Sequence, residues 1–144
     1  MNERVYETLN NGVYRAGFAE TQAAYDEAVG PLFDTLDWLE ATLGSRGPWL
    51  LGDALTEADV RLFTTLVRFD PVYHGHFKCN RRRIIDYPTL WRFVRKFAAL
   101  PGVAETINLE HIKRHYYESH RQINPAGIVP VGPDLELWDG AQEA

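Results

Sequence analysis

The chain of 144 residues contains a single cysteine, Cys79. One cysteine forms no internal disulfide, which predicts a reducing, cytoplasmic setting and excludes a disulfide-framed secreted fold. No stretch approaches the ~18 consecutive apolar residues of a membrane span, and the first residues do not read as a signal peptide. A basic excess is also lacking: the formal net charge is −5. That balance argues against nucleic-acid binding, and the short run Arg81-Arg82-Arg83 reads as a solvated face. Strand-like alternation is missing, as is any internal repeat. What remains is an ordinary globular balance, 45% apolar and 24% charged, in a length that suits one domain with a real core.

The period of the apolar residues is helical. Ala24, Ala28, Leu32, Leu36, Leu39 and Leu43 recur at spacings of three or four, which places them on one face. Gly30-Pro31 falls inside this pattern, and because the stripe keeps its phase the pair predicts a kink rather than an end. Asn10-Asn11-Gly12 is a turn signal in which Gly12 would take positive φ. Thr56 and Asp59 have the spacing of a capping box, with Leu55 and Val60 as its hydrophobic staple. A core face of Val60, Phe63, Leu66 and Val67 follows, and Pro71 is expected to end that helix. Pro88 opens a further helix whose apolar positions are Leu90, Phe93, Val94, Phe97 and Leu100. Asn108 then caps a helix from Leu109 to about Ser119. The proline- and glycine-rich end predicts an extended tail. The fold class is therefore all-α, about five or six helices, with residues 1–20 as a linker or N-terminal segment, 21–120 as the helical domain and 121–144 as its tail.

The chemistry-bearing residues crowd into Phe69–Asn80. His74, His76 and Cys79 lie close together, but a zinc site needs three or four converging ligands, and no second cysteine pair exists. His111 and His115 share a helical face without the glutamate of a zinc-protease helix. No metal site is predicted. Cys79 lacks a Cys-x-x-Cys partner and reads as a buried structural thiol. Tyrosine is more suggestive: Tyr14 follows the Asn10–Gly12 signal, and Tyr116-Tyr117 lies in the last helix. A phenol can bond a substrate oxygen while its ring packs against an aromatic one, although amphipathic tyrosines also rim helical cores.

Four segments, NNGVYRAGFAETQAAYDEAV, LTEADVRLFTTLVRFDPVYHGHFKCN, PGVAETINLEHIKRHYYESH and INPAGIVPVGP, resemble the C-terminal half of glutathionyl-hydroquinone reductases. These form the Xi class of the glutathione S-transferase superfamily. The resemblance implies a C-terminal domain of that superfamily's helical type, which forms the acceptor-substrate pocket of a glutathione-dependent reductase. Glutathione would be the co-substrate, held mainly by a thioredoxin-like N-terminal domain that also carries the nucleophilic cysteine. This chain shows neither that motif nor a βαβ pattern, so no catalytic nucleophile is assigned here, and the chain alone is expected to be inactive. The two tyrosines that line the hydroquinone site in the family match Tyr14 and Tyr116. Arg68, Tyr73 and Lys78 are second-rank substrate-binding candidates, while Asp59 is assigned to folding. The expected partners are a glutathionylated quinol, the thioredoxin-like domain and a second copy in a homodimer, with no nucleic acid or membrane. The other class of function open to such a helical domain is a non-catalytic interaction scaffold.

Overall fold

The computed structural model describes residues 1–134. Among these the chain is helical with no β-strand, and the nearest approach to one is a pair of backbone bonds between Trp49 and Gly52. Three helical pieces begin it: α1 (Asn2–Val5), a π-helical turn (Tyr6–Asn10) and α2 (Gly12–Gly17). The turn expected at Asn10–Gly12 shrinks to the single residue Asn11, without a positive φ. Asn11 stays right-handed at φ −82°, ψ −31°, and Gly12 is not among the positive-φ glycines. Val5, Leu9 and Val13 repeat every four residues and are all buried; packing this stripe against α3 carries the helical path through the local turn signal.

The long helix α3 spans Gln22–Arg46. Thr21 caps it, accepting from the Ala24 amide at 3.1 Å. The helix runs unbroken through Pro31. Pro31 and Glu27, whose carbonyl loses its partner there, are both exposed residues, so water can replace the missing bond. Ala28, Leu32, Leu36, Leu39 and Leu43 form the buried stripe, whereas Ala24 is exposed.

The helix α4 spans Glu57–Arg68 and opens with the expected capping box. Asp59 is fully buried; its carboxylate accepts from the Thr56 amide at 2.9 Å, the Thr56 hydroxyl at 3.1 Å and the Leu50 amide at 2.8 Å. Val60, predicted for the core face, is instead exposed, as is Leu55. The buried face runs through Asp59, Leu62, Phe63 and Leu66, and Val60 lies about 100° around the helix from Asp59.

Pro71 does not end the helical path. A π-helical stretch (Phe69–Tyr73) and a short α5 (His74–His76) continue it. There the His74 amide bonds the Phe69 carbonyl, five residues back, a widened turn that tolerates proline's missing donor. The reward is the burial of Phe69, Val72, Tyr73 and Phe77. Asp70, held among these residues, accepts from the amides of Ile84 (2.6 Å) and Ile85 (3.2 Å) and anchors a 3₁₀ turn over Ile84–Asp86.

Helix α6 (Pro88–Ala98) has proline in its first turn. Its free amides at Thr89 and Leu90 each donate to the Glu40 carboxylate at 2.8 Å, fastening α6 to α3. After a 3₁₀ turn at Ala104–Thr106, α7 (Leu109–Ser119) is capped by Asn108, which accepts from the His111 amide at 3.0 Å. Residues 124–134 form no helix or strand. Lys113 holds them through the carbonyls of Pro130, Val131 and Gly132 at 3.1–3.3 Å. The remainder of the predicted tail lies outside the described residues.

Candidate functional site

Three tyrosines from distant parts of the chain meet at their hydroxyls. Tyr14 comes from α2, Tyr73 from the π-helical stretch and Tyr116 from α7. The Tyr14 and Tyr116 oxygens are 2.9 Å apart, and those of Tyr73 and Tyr116 are 3.0 Å apart. Phe77 is the common floor. It stacks on Tyr73 at 5.4 Å, with Tyr14 at 5.3 Å and Tyr116 at 6.1 Å from its ring. Gly17 makes this possible, since a Cβ there would lie 2.2 Å from the Phe77 ring. A side chain at that position would push α2, and Tyr14 with it, off the floor.

Burial is graded across the three. Tyr73 is 3% exposed, Tyr116 6% and Tyr14 38%. Burial raises the pKa of Tyr73, and its bond to Tyr116 adds to the shift. Burial likewise pushes Tyr116 up to about 12, helped by its bond to Tyr14. Both inner phenols are neutral hydroxyls at physiological pH and able to donate.

The hydroxyls open on a cleft of about 570 Å³, a size ordinary for a small organic ligand. Tyr6, Asn10 and Tyr14 line one wall, four residues apart on one helical face; Arg61, Thr64, Thr65 and Arg68 of α4 line another; Tyr73 and Tyr116 close it. Sequence reasoning had singled out Tyr14, Tyr116, Arg68 and Tyr73, and all four stand here. It missed Asn10 and the stripe that Arg61, Thr64 and Thr65 form with Arg68. The spacing i, i+3, i+4, i+7 of that polar stripe was the available signal.

Lys78 is not among the lining residues. It takes a left-handed φ of 59°, is exposed, and its carbonyl accepts from the Tyr25 hydroxyl at 2.6 Å. His76 is buried and faces His120, ring nitrogens 3.1 Å apart. Burial, followed by the charges of His120 and Lys78, pulls the pKa of His76 down to about 4. Cys79 is fully enclosed, and burial pushes its thiol up to about 12. Among the described residues no group of three His, Cys, Asp or Glu side chains is placed to hold a metal ion.

Residues 22–96 match the family model described as glutathione S-transferase, C-terminal domain. The chain belongs to that family. Glutathionyl-hydroquinone reductase PcpF of Sphingobium chlorophenolicum is 70% identical over 95% of this domain, which covers 44% of that relative. The glutathione-bound structure of YqjG, a glutathione transferase homologue from Escherichia coli, superposes with a TM-score of 0.91 at 55% identity, covering 94% of this chain and 44% of the other. The glutathione S-transferase Xi of Phanerochaete chrysosporium gives 0.88 at 57% identity, over 92% and 45%. This C-terminal domain thus spans less than half the length of the relatives it matches, and its Xi-class neighbours agree with the class its sequence resembles. Among the described residues no helix is long and apolar enough to cross a membrane.

Proposed function

We propose that this domain is the hydroquinone-binding half of a glutathione-dependent reductase that removes glutathione from glutathionyl-hydroquinones. The observation that carries the reading is the chain of three tyrosine hydroxyls ending in an open cleft. Tyr73 is buried with its hydroxyl against Tyr116. The arrangement that uses every proton has Tyr73 donating to Tyr116 and Tyr116 donating to Tyr14, which leaves the Tyr14 proton facing the cleft. A bound quinol oxygen takes that bond, and its ring packs among the surrounding aromatic side chains.

The nucleophile comes from outside this chain, from a thioredoxin-like domain that also binds glutathione. Its cysteine thiolate attacks the thioether sulfur, forming a mixed disulfide with the glutathionyl group and breaking the aryl C–S bond. The electron pair of that bond goes to the ring carbon, which takes a proton and becomes free hydroquinone. A second glutathione then attacks the glutathionyl sulfur of the mixed disulfide, and the cysteine leaves as its thiolate, yielding glutathione disulfide and the regenerated enzyme. The tyrosine hydroxyls hold the quinol oxygen and assist protonation of the ring, help of a kind typically worth about 10²–10⁴-fold. A cytoplasmic, homodimeric enzyme fits this reading through the same resemblance.

The test is turnover of a glutathionylated hydroquinone by the complete protein that carries this domain. Tyr14→Phe lowers kcat by on the order of 10²-fold, a typical contribution for such catalysis, and Tyr116→Phe, which removes the donor behind Tyr14, lowers it as well. Wild-type turnover in both variants would remove the tyrosines from the reaction, and no turnover by the complete protein would instead support a non-catalytic scaffold.

A further inference from the structure

We propose that the cleft selects quinols bearing an anionic substituent, a carboxylate seated on Arg68 while a quinol oxygen meets the tyrosine hydroxyls. The inference rests on the reading of the cleft as the quinol site and adds a charge requirement to it. Arg68 stands between two adjoining recesses. It lines the main cleft, and it also lines a smaller recess of about 280 Å³ with His111, Ile112 and His115; Tyr116 is the other residue common to both. A ring held at Tyr116 therefore has a second recess beside it, walled by a guanidinium, two imidazoles and one apolar side chain.

Charge compensation sets Arg68 apart from its neighbours. Arg61, also in the cleft, is paired with Glu57 at 2.6 Å. Arg114 of α7 is held between Glu110 and Glu118 at 3.7 and 3.1 Å. Among the described residues Arg68 makes one bond, from Nη1 to the Thr64 carbonyl at 2.7 Å, and no described carboxylate lines either recess. A guanidinium offers five N–H donors in a planar fork that matches a carboxylate. The bond to Thr64 fixes the fork at the boundary of the two recesses and leaves most of its donors for a ligand. An uncompensated, oriented guanidinium beside the phenol cluster is a built preference for an acidic ring substituent.

Glutathione also carries carboxylates, so the test must separate the two sources. Dissociation constants are measured on the complete protein that carries this domain for hydroquinone, 2,5-dihydroxybenzoate and glutathione, with wild type, Arg68→Gln and Arg68→Lys. The expected result is that 2,5-dihydroxybenzoate binds about tenfold tighter than hydroquinone, as one charge-assisted contact provides. Arg68→Gln brings the ratio near one, and Arg68→Lys keeps part of it. A ratio near one in wild type, or a ratio that survives Arg68→Gln, overturns the charge requirement while leaving the quinol site standing. Displacement of 2,5-dihydroxybenzoate by glutathione, with the same dependence on Arg68, assigns the guanidinium to glutathione and also overturns it. Binding of neither quinol defeats both this inference and the proposed function.

Discussion

Tyr14, Tyr73 and Tyr116 share one chemistry but differ in environment. The two buried hydroxyls are held protonated by the loss of water around them, while the third stands at the cleft mouth. Cys79 shows the opposite use of burial. With its thiol enclosed and its pKa at about 12, it is almost entirely un-ionised at neutral pH, and the thiolate is the reactive form. Iodoacetamide at pH 8 is therefore expected to leave Cys79 unmodified in the folded chain and to alkylate it after denaturation, as read by intact mass. Rapid modification of the native protein would contradict the enclosed position. The burial of Cys79 was expected from the sequence, because a lone cysteine without a Cys-x-x-Cys partner reads as a structural thiol despite Lys78 and Arg81 nearby. The meeting of Tyr14 with Tyr116 was not. One hundred and two positions separate them, and only the resemblance to a family pointed to both.

At the scale of elements, local signals succeeded where a single helix settled the outcome. The caps at Thr56 and Asn108 and the proline opening of α6 are all present. They failed where burial outweighed a local signal. Asn10–Gly12 and Pro71 both read as breaks, yet the chain continues helically through each, using widened turns that keep Leu9 and Phe69 in the core. The second of these places Tyr73 in the site, so the sequence named the residue while the π-helical stretch that delivers it went unread. Asp59 joins two elements: its carboxylate serves the start of α4 and also the Leu50 amide of the preceding loop. Asp59→Ala strands two amides, at a cost of about 1–3 kcal/mol for each donor left buried and unpaired. Urea unfolding should show a loss of at least about 2 kcal/mol, well beyond the ~1 kcal/mol typical of a cap such as Thr56. A loss under about 0.5 kcal/mol, the range of ordinary surface substitutions, would show that the loop does not depend on it.

At the scale of the whole molecule, α7 is pinned to the rest by aromatic contacts and by the pair His76–His120. His76 keeps a pKa of about 4 when folded, whereas in the unfolded chain it titrates near 6.5. Below pH 6.5 the unfolded state takes up a proton that the folded state refuses, so stability falls as pH drops from about 6.5 towards 4. By pH 5 this one group costs about 2 kcal/mol, and replacing it with glutamine should remove that share of the slope. Identical pH profiles for wild type and His76→Gln would contradict the burial argument. The larger consequence of the fold is that three separate elements deliver three hydroxyls to one cleft, where they serve as a single unit in the proposed reaction. A double-mutant cycle on turnover of a glutathionyl-hydroquinone, with Tyr14→Phe, Tyr116→Phe and both together in the complete protein, tests this most directly. Groups acting as a unit are non-additive. The double variant should be within about threefold of Tyr14→Phe alone, a residual coupling small on the scale of such cycles. Losses that multiply would show two independent contacts, and wild-type turnover in all three variants would remove the tyrosines from the reaction.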